Sequence, residues 1–180
     1  MTYCTYCRSP GADPVHRTYH DREYGFPLRD DDALFERLML EVNQAGLNWL
    51  IILRKKESFH RAYHGFKVER VAAYKAADHR RLLNDSGVIR NRLKVRAATE
   101  NARRLIALRE QFGSFAGWLD HHHPNEIDGW RKLFKKTFVF TGGEIVREFL
   151  LSTGYLPGAH DEDCPVFSRV KKQRPAWMRA

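Results

Sequence analysis

The chain has 180 residues, 43% of them hydrophobic and 12% aromatic, so it is long and apolar enough to bury the core of one compact domain. This composition excludes a disordered chain. The formal net charge of +9 favours a polyanionic partner such as nucleic acid, although a generally basic surface explains the charge equally simply.

The three cysteines cannot all pair in disulfides, and no apolar stretch of the signal-peptide kind opens the sequence. We therefore expect a reducing interior compartment, the cytoplasm, as the location of the protein. No run of residues is apolar and long enough to suggest a membrane span.

Apolar residues recur at the helical period along most of the chain, and strand signals are scarce. A helix capped by aspartates at 30–32 is predicted to end near Ala45-Gly46. Its buried face holds Leu34, Phe35, Leu38, Met39 and Val42. Further helical patterns follow after Leu47, at 68–74, around Leu82, from Asn91, after Gly113 and at 144–153, while 137–141 is ambiguous. We predict an all-α fold with one domain at 1–168, built of two helical lobes, and a basic C-terminal tail at 169–180.

Residues 82–95 combine a helix end, a tight glycine turn and a second helix that begins with basic residues, which is the layout of a helix-hairpin-helix. Main-chain N–H groups at the turn around Gly87 can bind a DNA phosphate, and Arg90, Arg92 and Lys94 add positive charge. Such an element positions DNA without reading its bases. An ordinary connection between two helices explains this segment, taken alone, equally well.

Residue types that bind metals occur at both ends of the chain: Cys4, Cys7, His20, His160 and Cys164. A tetrahedral zinc site needs four thiolate or imidazole ligands, so one of these five is spare. The Cys-x-x-Cys and His-x-x-x-Cys spacings let both members of each pair face one ion. The alternative is a pair of ordinary thiols on a loose N-terminus and a solvated histidine. The run at 121–123 is a second group of histidines, but no cysteine is near it, and we interpret it as a solvated loop.

Several sequence blocks together resemble the DNA-3-methyladenine glycosylase I family. The blocks are Tyr19-His20-Asp21-x-Glu23-Tyr24-Gly25, Leu40-Glu41-x-x-Gln44-Ala45-Gly46-Leu47-x-Trp49, Gly87-Val88-Ile89-Arg90-Asn91-Arg92 and His160-x-x-x-Cys164. They run in the family's order through nearly the whole chain. The resemblance implies a monomeric, all-helical helix-hairpin-helix glycosylase that flips an alkylated adenine out of double-stranded DNA and hydrolyses its bond to deoxyribose, leaving an abasic site.

The resemblance also implies a structural zinc ion that joins the two ends of the chain. His20, His160 and Cys164 match the family's zinc ligands. The register of the N-terminal block selects Cys7 as the fourth ligand, with Cys4 as its substitute.

A pocket for the damaged base is implied as well, with Glu41 as its acidic, catalytic residue, Tyr19 as a pocket aromatic and Trp49 as the ring that stacks on the base. Alkylation at N3 makes adenine cationic, so a buried carboxylate and aromatic faces favour it over normal adenine. The same charge weakens the glycosidic bond. Without the resemblance, each of the three residues has a plainer interpretation. Glu41 would be an exposed residue at a helix end, Tyr19 would pack beside the metal and Trp49 would belong to the core.

The sequence departs from the family pattern at the pocket edge. His16 stands where a second pocket tyrosine is usual, Tyr24 replaces the tryptophan of Glu-Trp-Gly, and Gly143 and its neighbours replace small hydroxyl residues. The range of damaged bases therefore does not follow from the resemblance. No lysine in the pocket blocks matches a Schiff-base nucleophile, so we expect water as the nucleophile and no strand cleavage.

Two other hypotheses remain open at this point. A non-catalytic, zinc-stabilised helix-hairpin-helix module would bind DNA without a pocket around Glu41. A zinc-binding regulator of transcription would need a helix suited to the major groove, and the sequence shows no clear one.

Overall fold

The computed structural model describes residues 1–179, which fold into helices joined by turns. Within this range there is no strand, and no helix combines the length and apolar character that crossing a membrane requires. The α-helices are α1 (Tyr3–Arg8), α2 (Pro14–Arg22), α3 (Asp31–Gln44), α4 (Trp49–Ala62), α5 (Val68–Ala72), α6 (Ala76–Asn84), α7 (Arg92–Phe112), α8 (Phe115–His122), α9 (Ile127–Thr137), α10 (Gly143–Ser152) and α11 (Pro165–Lys172). Short 3-10 helices cover His64–Phe66 and Ala176–Met178. The predicted all-α fold is confirmed.

Helix α3 runs through the main core and carries the predicted apolar face. The Asp30 carboxylate caps it by accepting from the Ala33 N–H at 2.9 Å. The side chains of the predicted face are fully buried, against α4, α7, α8 and α10. Each contributes on the order of 1.5–3 kcal/mol to stability. Helix α3 ends where Gly46 adopts a φ of 78°, as the sequence predicts.

Helices α6 and α7 pack against each other across a turn at 85–91. A Cβ on Gly87 would lie 3.0 Å from the Ser58 Cβ, so glycine lets the turn approach α4 closely. The Asn91 side chain caps α7 by accepting from the N–H groups of Leu93 and Lys94. The predicted arrangement of helix, tight turn and helix is present.

In the ambiguous segment at 137–141, Thr137 is the last residue of α9, and 138–141 connect that helix to α10. The Val139 N–H donates to the Asn101 side chain at 2.8 Å, and Phe140 has a φ of 62°. A positive φ is incompatible with a strand, which explains why β-branched and aromatic residues form none here.

The predicted tail from residue 169 needs correction, because its boundary lies inside α11. Beyond that helix, Pro175 and Ala176 are buried, and the Trp177 N–H donates to the Gly154 carbonyl at 3.2 Å. The Trp177 ring stacks on Phe167 with centroids 6.3 Å apart. Apolar residues between the basic ones attach this segment, through residue 179, to the rest of the domain.

Candidate active site and metal centre

A cavity of about 680 Å³ lies between α2, the C-terminal end of α3, the start of α4 and α10. Its lining includes all four pocket residues named from the sequence, and two more that matter below: His16, Tyr19, Tyr24, Glu41, Trp49 and Glu148. Because α3 ends at Gln44 and α4 begins at Trp49, the turn between them brings Glu41 and Trp49 to the same cavity. A DNA-binding module without a pocket does not require this arrangement.

The Glu41 side chain is buried, with 3% of the residue exposed, yet it borders the cavity. No hydrogen bond to its carboxylate occurs within residues 1–179. Burial raises the pKa of Glu41 to about 8; Arg37 opposes the rise and the charge of Glu148 adds to it. The carboxylate therefore has free acceptor positions, and a cationic ligand would relieve the cost of its ionisation.

Tyr19 lies beside Glu41 on the cavity wall. Its ring meets Trp49 edge to face, with centroids 5.3 Å apart. Its hydroxyl is buried and has no hydrogen-bond partner in the described part of the chain. A buried polar group without a partner is rare in folded proteins, so this hydroxyl is a candidate contact for a bound molecule.

His16 and Tyr24 form the edge of the cavity at which the sequence departs from the family pattern. The Tyr3 hydroxyl lies 2.9 Å from His16 Nδ1, and the Tyr24 hydroxyl donates to Glu148 at 3.2 Å. Sequence reasoning missed both partners. Nothing in the sequence pointed to Tyr3, whereas Glu148 lies in the block whose residues depart from the family.

Four metal-ligand side chains from the two ends of the chain meet in one buried cluster: Cys4, His20, His160 and Cys164. His20 Nε2 lies 3.2 Å from Cys4 Sγ, 3.2 Å from His160 Nδ1 and 3.7 Å from Cys164 Sγ. His160 Nδ1 lies 3.5 Å from Cys4 Sγ and 3.9 Å from Cys164 Sγ. Tetrahedral bonds of about 2.0–2.3 Å would separate ligand atoms by roughly 3.3–3.8 Å, so the cluster has the size of a metal site.

The second nitrogen of each histidine ring is also engaged. His20 Nδ1 lies 2.7 Å from the Asp21 carboxylate, and His160 Nε2 lies 2.7 Å from the Tyr24 carbonyl. Partners of this kind orient histidine ligands in metalloproteins. The turn after α2 approaches Ala159 and His160 closely because it contains Gly25, at a φ of 80°. A Cβ on Gly25 would lie 2.9 Å from the Ala159 Cβ and 3.2 Å from His160 Cδ2.

The cluster contains Cys4 and not Cys7, the cysteine that the sequence predicted as the fourth ligand. Both cysteines are buried on α1. The Cys7 sulfur faces the His16 carbonyl oxygen at 3.8 Å, away from the cluster. Residues three apart lie on one side of a helix but are still offset around its axis, and the packing of α1 on α2 brings only Cys4 into the cluster.

The assignment of Lys94 to the DNA-binding set is also wrong. Lys94 is buried, and its Nζ donates to the carbonyls of Asn43 and Ala45, each at 2.7 Å. The last carbonyls of a helix lack partners within it, and Lys94 supplies donors to the end of α3. Arg90 and Arg92 remain exposed, and neither makes an ion pair within residues 1–179. Lys94 thus connects the start of α7 to the end of α3, the helix that carries Glu41.

The chain matches the family model described as methyladenine glycosylase over residues 9–130. It is 34% identical to a DNA-3-methyladenine glycosylase from Haemophilus influenzae, over 89% of this chain and 97% of that protein. It superimposes on the 3-methyladenine DNA glycosylase I of Staphylococcus aureus with a TM-score of 0.81 and 31% identity, covering 92% of this chain and 97% of that one. A structure of a variant 3-methyladenine DNA glycosylase I in complex with 3-methyladenine gives the same score, identity and coverage. The chain therefore belongs to the methyladenine glycosylase family.

Proposed function

We propose that the protein is a DNA repair glycosylase that flips 3-methyladenine out of DNA and hydrolyses its bond to deoxyribose. The observation that carries this proposal is the buried Glu41 carboxylate, without a hydrogen-bond partner in the described chain, in a cavity walled by Tyr19 and Trp49. The names of its relatives, one of them solved with 3-methyladenine, support the same activity.

The chemistry of the damaged base suits this cavity. Alkylation at N3 gives the nucleotide a positive charge, which normal adenine lacks. A carboxylate can accept a hydrogen bond from the exocyclic amine, and the face of Trp49 can stack on the electron-poor ring. Both interactions are stronger for the cation, so the cavity favours the damaged base.

Excision needs little acid catalysis from the protein, because the positive charge already makes the alkylated base a good leaving group. Extruding the base and holding it against Glu41 can therefore supply much of the specificity. No lysine within residues 1–179 lines the cavity, so a Schiff base with the sugar has no donor there. We propose water as the nucleophile, an abasic site as the product and no strand cleavage.

Double-stranded DNA is the proposed partner of the turn at 85–91. Arg90 and Arg92 are exposed beside the first turn of α7, where they can contact phosphates. Lys94 connects this element to the end of α3, so a phosphate bound at the turn lies on the same rigid unit as the cavity. We propose that the protein acts as a monomer.

Zinc is the proposed metal of the buried cluster. Two thiolates and two imidazoles are its preferred ligands, and four protein ligands leave no open position for a reactant. The ion would supply a cross-link between the two ends of the chain and no step of the reaction. Reduced cysteines suit the cytoplasm, which we propose as the location.

Base release from methylated DNA tests the proposal. Purified protein should liberate 3-methyladenine, detected by chromatography, and leave abasic sites in uncut DNA. Absence of base release would refute the glycosylase function. Strand cleavage coupled to excision, or a borohydride-trapped adduct between protein and DNA, would contradict the single hydrolytic step.

A further inference from the structure

The cavity wall carries a second carboxylate, Glu148 on α10, which no role described above explains. One of its oxygens accepts from the Tyr24 hydroxyl at 3.2 Å, and the other accepts from Arg147 at 2.7 Å. About a third of its side chain is exposed, so it lies between the buried Glu41 and the solvent. A bound purine in this cavity would lie near both carboxylates.

The other charges near Glu148 do not cancel its effect on a bound molecule. Arg147 is about half exposed at the cavity rim, and an ion pair in contact with water is weak. The Arg37 guanidinium lies behind the Tyr19 ring and donates to the Glu23 carboxylate, which Lys56 also contacts. Arg147 is thus paired with Glu148 itself at the solvent-exposed rim, whereas Arg37 lies behind the Tyr19 ring and shares the Glu23 carboxylate with Lys56.

The two carboxylates also influence each other. The negative charge of Glu148 adds to burial in raising the pKa of Glu41. Ionisation of Glu41 would place two like charges at one cavity, and a cation bound near both carboxylates would stabilise that ionised form. A neutral molecule in the same position does not.

We propose that Glu148 is a specificity-determining residue that makes the cavity select positively charged purines over neutral ones. This inference rests on the proposed function and deepens it. The N3-methylated nucleotide is a cation, whereas undamaged adenine and, at neutral pH, the released 3-methyladenine are uncharged. Glu148 therefore favours the damaged base over normal bases and favours the substrate over the product. Tyr24 acts as a positioning residue, because its hydroxyl holds the carboxylate against the cavity.

Binding of two small ligands separates charge selection from a structural role. The probes are the 3,9-dimethyladeninium cation, which keeps the charge of the alkylated nucleotide, and neutral 3-methyladenine. Titration calorimetry at neutral pH compares wild type with Glu148→Gln, which keeps the size of the side chain. The matched control is Glu144→Gln, which removes the same charge from α10 at an exposed position.

Glu148→Gln should weaken binding of the cation by about tenfold, equivalent to about 1.4 kcal/mol, and binding of the neutral base by less than about twofold. Tyr24→Phe should shift the preference in the same direction by a smaller factor, and Glu144→Gln should change neither affinity. Equal losses for both ligands would show a purely structural role, and unchanged affinities would show no role at all. Either result overturns the proposal.

Base release from methylated DNA by the same wild-type protein separates this proposal from the proposed function. If wild type releases 3-methyladenine and Glu148→Gln keeps the preference for the cation, the inference about Glu148 alone is overturned. If wild type releases no base while Glu148→Gln loses the preference, the glycosylase function is refuted and the charge-selective cavity stands. Failure of wild type to bind either ligand would refute both.

Discussion

The guanidinium of Arg37 lies over the ring of Tyr19, 5.1 Å from the ring centroid, and one helical turn before Glu41 on α3. It also donates to the Ser152 carbonyl at 3.2 Å, which holds it behind the ring. The positive charge therefore acts on Glu41 without entering the cavity. Aromatic faces and two carboxylates, those of Glu41 and Glu148, line the space that a flipped base would fill.

Replacement of Glu41 by glutamine should reduce excision without reducing stability. The amide cannot provide the charge of the carboxylate, and the loss of a charge-assisted hydrogen bond lowers kcat/KM by about 10- to 100-fold. The free energy of unfolding at neutral pH should stay constant or rise, because a buried acid is removed. Base-release kinetics and denaturant unfolding measure the two effects.

The control for that variant is Glu36→Gln, which removes a carboxylate from the same helix at a position paired with His60. It should leave excision unchanged. Full activity in Glu41→Gln would remove Glu41 from the site.

The pH dependence of stability should report the buried state of Glu41. Its pKa is about 8 in the folded chain and 4.5 in its ordinary state, so between these values the folded state holds more protons than the unfolded state. The stabilising contribution of the protonated Glu41 is fully present below pH 4.5 and is lost as the pH rises through 8. The free energy of unfolding of wild type should therefore fall relative to that of Glu41→Gln, by at most about 1.4 kcal/mol per pH unit. Parallel pH profiles for the two proteins would contradict the buried acid.

The proposed zinc site predicts different outcomes for two cysteines on the same helix. Cys4→Ala should lose the bound metal and lower the thermal midpoint by about 10 °C, because it removes a ligand that joins the two ends. Cys7→Ala should retain one metal ion per chain and lose only about 1 kcal/mol from a small cavity. Metal analysis and thermal unfolding of both variants provide the test. Loss of metal in Cys7→Ala with retention in Cys4→Ala would reverse the assignment.

The sequence could supply the members of this centre but not the choice between the two thiols. Spacing and residue type restrict the ligands to five candidates, whereas the selection of Cys4 depends on the angle at which α1 packs on α2. Lys94 presents the same difficulty, since charge alone does not tell a phosphate contact from a helix cap. Helix α3 was predictable because its cap, apolar period and terminal glycine agree. The attachment of residues 169–179 to the domain was not predictable, because it depends on a few apolar contacts such as that of Trp177 with Phe167.

Lys94 and Arg92 should behave differently when DNA binding and stability are measured together. Lys94→Met should lower the free energy of unfolding by about 1–3 kcal/mol, because two carbonyls at the end of α3 lose their donor. It should leave the salt dependence of DNA binding unchanged. Arg92→Ala should preserve stability and reduce the slope of log K against log salt by about 1.

Arg90→Ala removes the other exposed arginine near the turn. Its stability and its salt dependence of DNA binding should match those of Arg92→Ala. A reduced salt slope with unchanged stability in Lys94→Met would return Lys94 to the DNA-binding set.

A structure of the protein bound to 3-methyladenine tests the central claim most directly, namely that the cavity between α2, α3 and α4 is the base pocket. The base should stack on Trp49, with its exocyclic nitrogen within about 3 Å of the Glu41 carboxylate. Binding of the base elsewhere, or within the cavity but without contact to Glu41, would contradict the account.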